Sequence, residues 1–151
     1  MRCIFCKADS SGSRSVEHII PESLWNTKQI LPRGVVCDRC NNYFARNVEK
    51  PFLDSPAITH LRFHEAVRNK RGRIPEIDGL ILPGHVVRVH RHLEGPVAAS
   101  VAVPPEAFEN ILRGKSNTLI FRTGAEAPPD QVVSRFLAKV AVEALARIFH
   151  E

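Results

Sequence analysis

The chain has 151 residues and a formal net charge of +5, a length that suits one domain or one domain with a small module. Hydrophobic residues make up 44% of the chain and charged residues 25%, which allows a folded core and excludes global disorder. No stretch reaches the roughly 18 consecutive apolar residues of a membrane helix, and the N-terminus has no signal-peptide core. We therefore expect a soluble, cytoplasmic protein without a membrane partner, and the charge favours a polyanionic partner without identifying one.

Residues 1–54 hold all four cysteines and most of the turn-forming residues. Within them, Ser15–Ile20 is a β-prone run that Pro21 stops. Leu31–Gly34 is turn-like. A short helix is predicted from Asp38, with Pro51 as its end. These features predict one N-terminal module over residues 1–54.

The rest of the chain divides into two further segments. Residues 55–78 form a basic connector, part of it helical, and residues 79–151 form an accessory region. This region is predicted to contain a turn at Glu94-Gly95-Pro96, a short helix at Pro105–Leu112, and strands at Gly79–Leu82, His85–His90, Val97–Val103 and Thr118–Arg122.

The accessory region ends in a predicted amphipathic helix that begins near Asp130. Its apolar positions recur at helical spacing and are Val132, Val133, Phe136, Leu137, Val140, Ala141, Ala144, Leu145, Ile148 and Phe149. The apolar pattern continues almost to Glu151, and no residue that typically ends a helix follows it in the given sequence. The end could fray in solvent, but we favour a continuation of the natural sequence or a partner on this face, either a second copy or another protein.

The four cysteines form two pairs, Cys3-x2-Cys6 and Cys37-x2-Cys40, with thirty residues between them. Two such pairs supply four thiolates, the ligand set of a tetrahedral structural Zn²⁺. Four protein ligands leave no open position, so this zinc would stabilise the fold, and its binding can contribute roughly 10–16 kcal/mol. Redox cysteines are the alternative, but a thioredoxin-like motif needs only one pair after a strand. The spacing therefore favours zinc.

Between the pairs lies Glu17-His18, and Asn41 directly follows the fourth cysteine. A Glu-His pair alone is common and says little. Together, three segments resemble the HNH endonuclease family in its four-cysteine form: Cys3-Ile4-Phe5-Cys6, Val16-Glu17-His18-Ile19-Ile20-Pro21 and Val35-Val36-Cys37-Asp38-Arg39-Cys40-Asn41-Asn42. The resemblance implies a ββα-metal finger that hydrolyses phosphodiester bonds with one divalent metal ion. The predicted fold class is α+β: this zinc-bound finger, then a small α+β region with antiparallel strands and a C-terminal amphipathic helix.

The resemblance also implies a role for each polar residue of the finger. His18 would be the general base for the attacking water, because histidine titrates near neutral pH. Glu17, which faces the opposite side of the strand, and Asn41 would be ligands of a catalytic Mg²⁺ or Mn²⁺, since such cations prefer oxygen donors. Asn42 and Asn47 are alternatives to Asn41 as the metal ligand.

The family's middle asparagine has no counterpart at its usual place. It lies a few residues before the third cysteine and fixes the loop that orients the base, but that region here reads Leu31-Pro32-Arg33-Gly34. Backbone contacts could take over this task.

Basic residues are concentrated in the connector and near the finger. Residues 62–73 carry five arginines and lysines against one glutamate, a net charge of +4. The candidate nucleic-acid contacts are Arg62, Arg68, Lys70, Arg71 and Arg73 in the connector and Arg33, Arg39, Arg46 and Lys50 near the finger. Phosphate contacts of this kind weaken as salt rises. The alternative is a solvated, arginine-rich loop.

These features predict a metal-dependent endonuclease with nucleic acid, expected to be DNA, as substrate. Its cofactors would be a structural Zn²⁺ and a catalytic Mg²⁺ or Mn²⁺. The alternative is a non-catalytic zinc module that binds nucleic acid or a protein partner. A third interpretation is an effector subunit whose finger works only when a larger complex activates it.

Overall fold

The structure, a computed structural model, describes residues 1–95, 97–122, 124 and 126–149. The chain forms two compact units. Unit 1 contains Met1–Ser55 and the C-terminal segment from Pro128, and unit 2 contains Pro56–Ala127. Pro96 of the predicted turn and Glu151 lie outside the described residues. The predicted α+β class, with antiparallel sheets and a C-terminal helix, is confirmed.

All helices and strands are short except the last helix. The helices are α1 (Asp38–Phe44), α2 (Lys50–Leu53), α3 (Pro56–His64), α4 (Pro105–Leu112) and α5 (Asp130–Ile148), and a π-helical turn, Ala45–Glu49, joins α1 to α2. The strands are β1 (Glu17–His18), β2 (Ile30–Leu31), β3 (Ile77–Ile81), β4 (His85–Arg91), β5 (Ala99–Ala102) and β6 (Leu119–Phe121). Strands β1 and β2 form one antiparallel sheet, and the other four form a second in the order β5-β4-β3-β6.

Unit 1 begins with a ββα arrangement. In β1, Glu17 lies opposite Leu31 and His18 opposite Ile30. Side chains alternate between the two faces of a strand, so the face that buries Leu31 also buries Glu17, while His18 is half-buried on the other. The surrounding core consists of Cys3, Ile19, Leu31, Val35, Val36 and Cys37.

The helical segment after Cys37 runs further than predicted. Pro51 was expected to end it but lies inside α2, so that prediction is wrong. The π-helical turn ends at Glu49, which places Pro51 in the first turn of α2, where the missing N–H of a proline costs little. Helical backbone therefore continues to Leu53 and brings Phe52 against α5.

Helix α5 folds with the finger and not with the strands of unit 2, so the predicted 79–151 region is divided between the units. Phe136 stacks on Phe52 with ring centroids 4.0 Å apart and 5° between the ring planes. The buried face of α5 also carries two charged residues, Lys139 and Glu143. Part of the predicted apolar face is therefore exposed, namely Leu137, Leu145, Ile148 and Phe149.

Unit 2 is built on the four-stranded sheet. Its predicted strands are found within two residues at each end, and α4 has the predicted bounds. Alternation along β3 and β4 buries one face, where Ile77 and Val89 pack with Phe63 of α3. Within the described part of the chain, no helix has the length and apolar character needed to cross a membrane.

Candidate active site and metal centre

The four cysteines converge in unit 1. Cys3 and Cys6 lie in the N-terminal turn, Cys37 caps α1 and Cys40 lies in its first turn. All four Sγ atoms lie within 4.8 Å of one another, and those of Cys6 and Cys37 are 3.6 Å apart. Zn–S bonds of about 2.3 Å in a tetrahedron place the sulfurs roughly 3.8 Å apart. The cluster can therefore hold a zinc ion.

Backbone N–H groups favour thiolates in this cluster. The N–H of Cys37 donates to Sγ of Cys3, and that of Cys40 to Sγ of Cys37, both at 3.4 Å. Burial raises the pKa of the Cys3 thiol, but N–H groups of Cys6, Cys37 and Phe5 outweigh it and lower the pKa to about 6. Burial and the neighbouring sulfurs raise the pKa of Cys40, because a further negative charge among thiolates needs a cation. This donor set fits zinc, and four ligands leave no open position.

Glu17 and His18 lie side by side on β1 in different surroundings. Glu17 is 5% exposed, and its carboxylate contacts Lys139 of α5. Nδ1 of His18 is buried and makes no hydrogen bond to any described residue. Buried polar atoms normally have a partner. The His18 ring therefore retains a nitrogen that a water or another polar group would satisfy.

Asn41 connects α1 to the strand that carries this pair. Its Nδ2 donates to the backbone carbonyl of Val16 at 3.3 Å. An amide used in this way still offers its Oδ1 to a cation. Asn47 instead donates to the carbonyl of Tyr43 at 3.0 Å, and Asn42 is exposed. Of the contacts described for these three asparagines, it is the bond from Asn41 to Val16 that lies directly before β1.

Asn26, which is not among the predicted site residues, holds the loop between β1 and β2. Its Nδ2 donates to the carbonyls of Ile20 at 2.6 Å and Gln29 at 2.9 Å. Its Oδ1 accepts the N–H groups of Lys28 at 3.1 Å and Gln29 at 2.8 Å. Backbone contacts hold this loop as well, since the N–H of Ile19 donates to the carbonyl of Gln29 at 3.0 Å. The propensity of asparagine to bond nearby backbone in turns could have indicated this role.

A buried lysine of α5 forms a cluster with three glutamates. Nζ of Lys139 lies 2.7 Å from Oε1 of Glu17, 2.7 Å from Oε1 of Glu49 and 2.9 Å from Oε2 of Glu143. Burial lowers the pKa of Lys139, but its electrostatic interactions with Glu143, Glu49 and Glu17 more than reverse this and keep the ammonium charged. Burial raises the pKa of Glu143 to about 8, although Lys139 acts against the rise. At neutral pH the cluster therefore retains a proton on Glu143.

The predicted nucleic-acid contacts are divided between the two units. The exposed ones are Arg33, Arg39, Arg46 and Lys50 in unit 1 and Arg68, Lys70, Arg71 and Arg73 in unit 2. Arg62 is 7% exposed and so does not contribute to the surface. Two of the exposed residues are in ion pairs, Lys50 with Asp54 and Arg68 with Glu94. The other basic side chains of this set are exposed in their own units, so phosphates can reach each of them.

A ββα unit with a four-cysteine cluster and a Glu-His pair on its first strand defines a metal-binding finger. Residues 3–56 match the family model described as HNH endonuclease. The matched segment is about a third of the chain, and its similarity to the HNH endonuclease family, together with the four clustered cysteines, confirms the predicted resemblance. Searches of curated proteins and of solved structures gave no significant match. The family indicates nuclease-type binding or cleavage of nucleic acid.

Proposed function

We propose that the protein is a metal-dependent endonuclease that hydrolyses phosphodiester bonds, with DNA as its substrate. The supporting observation is the ββα unit itself. It carries Glu17 and His18 on one strand, and the side chain of Asn41 bonds the carbonyl of Val16, directly before that strand. The family match over residues 3–56 supports the same reaction class.

His18 is the general base in this proposal. Its ring has a nitrogen without a hydrogen bond to the described residues, and a neutral imidazole nitrogen can accept the proton of the attacking water during the reaction. A positioned base of this kind accelerates a reaction by roughly 10²–10⁴-fold. The hydrogen bonds of Asn26 to the loop after β1 keep the backbone around His18 in place.

The proposal assigns two metals to two donor sets. The four cysteines hold a structural zinc ion. Glu17 and Asn41 offer the oxygen donors that suit Mg²⁺ or Mn²⁺. A divalent cation bound there would stabilise the charge that develops on the phosphate and on the leaving oxygen.

The basic residues are assigned to the DNA backbone. Exposed arginines and lysines in both units supply positive charge without base specificity. Each phosphate that they neutralise releases counterions, so affinity decreases as salt rises. A salt-independent affinity would contradict this assignment.

A second candidate function is a non-catalytic zinc module that binds nucleic acid or a protein partner. One observation favours it: Glu17, the proposed carboxylate ligand, is almost fully buried and contacts Lys139 at 2.7 Å. A carboxylate held by an ammonium is less available to a metal ion. An effector subunit that depends on a larger complex would also show no cleavage until that complex activates its finger.

Plasmid cleavage separates these functions. The wild type, His18→Ala and His92→Ala would be incubated with supercoiled plasmid and Mg²⁺ or Mn²⁺, with EDTA as a control. His92 is the matched control, because it is an exposed histidine of unit 2 that bonds Ser100. We expect cleavage by the wild type and His92→Ala, and loss of cleavage with EDTA or with His18→Ala. DNA binding without cleavage under all conditions would favour the second function.

A further inference from the structure

Lys139 contacts the backbone of β1 as well as the glutamates. Its Nζ donates to the carbonyl of His18 at 2.9 Å and lies 3.5 Å from the carbonyl of Ile19. The same ammonium holds the carboxylate of Glu17 at 2.7 Å. One cation on α5 therefore fixes both the side chain of Glu17 and the main chain of His18.

Strand β1 is short, and its other restraints include the hydrogen bonds of Asn41 and Asn26 within the finger. It is two residues long, and its ladder with β2 consists of two residue pairs. Lys139 comes from a helix that Phe136 separately anchors by stacking on Phe52. Because α5 has this apolar anchor of its own, the lysine acts as a rigid support for β1 rather than as a mobile surface charge.

Stability alone does not account for a lysine at this position. Its side chain has no exposed surface, and neither has that of Glu143. Well-packed apolar residues often replace a buried ion cluster without loss of stability, because desolvation offsets the attraction of the charges. An apolar side chain, however, could not donate to the carbonyl of His18.

We propose that Lys139 is a positioning residue of the nuclease centre, which sets the backbone of His18 and the orientation of Glu17. This inference rests on the proposed nuclease function. It extends the functional unit beyond residues 3–56 to α5. A displacement of about 1 Å at a reacting group can reduce a rate by roughly 10²-fold, so the loss of this contact should reduce kcat far more than it changes KM for DNA.

The test compares three variants with the wild type. Lys139→Met removes the ammonium but keeps a long side chain. Lys139→Arg keeps the charge but replaces the compact ammonium with a longer, planar guanidinium group. This variant carries the test if Lys139→Met does not fold. Arg135→Met is the matched control, one turn earlier on α5, where the arginine is exposed and bonds only the hydroxyl of Tyr43 among its described hydrogen bonds.

Zinc content and thermal denaturation would first establish that each variant is folded. Steady-state cleavage would then give kcat and KM separately, and the ¹H–¹³C signals of the His18 ring would report its environment. We expect at least a tenfold lower kcat and shifted His18 signals in Lys139→Met, a severalfold lower kcat in Lys139→Arg, and unchanged kcat and signals in Arg135→Met.

Unchanged kcat and His18 signals in the folded Lys139 variants would overturn the positioning role. If the wild type does not cleave DNA, the proposed function fails, and the His18 signals still decide the structural claim. Signals that shift in both Lys139 variants but not in Arg135→Met would support it in that case. Signals identical to the wild type would refute it.

Discussion

Glu143 is a carboxylic acid that keeps its proton at neutral pH in the folded protein. Its side chain has no exposed surface, and burial raises its pKa to about 8 from an ordinary value of 4.5. The unfolded chain loses this proton near pH 4.5 and the folded protein near pH 8. Between these values the folded state binds more protons, so stability decreases as pH rises.

The size of this effect follows from the pKa difference. Each pH unit in the interval lowers the free energy of unfolding by about 1.4 kcal/mol, which amounts to roughly 5 kcal/mol over the whole interval. Glu143→Gln keeps the size and polarity of the side chain and removes its titration. We expect the variant to be about as stable as the wild type near pH 5 and roughly 4 kcal/mol more stable near pH 8.

Urea denaturation at pH 5, 6, 7 and 8, followed by circular dichroism, measures this difference. Zinc binding also depends on pH, because thiols must ionise, but this contribution is common to both proteins and cancels in the difference. Glu109→Gln is the control, since Glu109 of α4 is 66% exposed and pairs with Arg113, the C-cap of that helix. A stability difference between Glu143→Gln and the wild type that does not change with pH would refute the reasoning.

Three further predictions concern packing, zinc and DNA. Phe136→Ala should lower the free energy of unfolding by about 3–5 kcal/mol, whereas Leu137→Ala, at an exposed position of the same helix, should change it by less than about 0.5 kcal/mol; equal losses would contradict the packing of α5. The affinity for zinc should decrease as pH falls, because protons compete with the ion for the thiolates, and an affinity that a chelating dye found to be independent of pH would contradict the zinc site. Arg71→Gln should weaken DNA binding and reduce the slope of log K against log salt by about 0.9, and an unchanged slope would remove this residue from the interface.

The cysteine centre could be predicted because metal coordination imposes a chemical requirement on the sequence. Two CxxC pairs supply the four sulfurs of one tetrahedral site, and their spacing is visible without a structure. The strands of unit 2 could be predicted for a similar reason, since alternation of buried and exposed residues is local. Both ends of helix α4 were predicted correctly, because its starting proline and the spacing of its apolar residues indicate the same helix.

The cluster around Lys139 could not be predicted. Lys139 and Glu143 are four positions apart on a helix, a spacing that usually indicates an exposed ion pair. Their burial depends on Glu17 and on Glu49, which lies 90 positions away from Lys139. The same limitation applies to Pro51, because the π-helical turn that accommodates it has no clear signature in the sequence.

Chemical rescue of His18→Ala tests the proposed base most directly. Single-turnover cleavage of a labelled DNA duplex would be measured for zinc-loaded wild type and variant, with and without added imidazole. We expect the variant to be slower by roughly 10²–10⁴-fold and imidazole to restore part of the rate in proportion to its unprotonated fraction, without accelerating the wild type. Cleavage by His18→Ala at the wild-type rate would contradict the assignment of His18 as the general base.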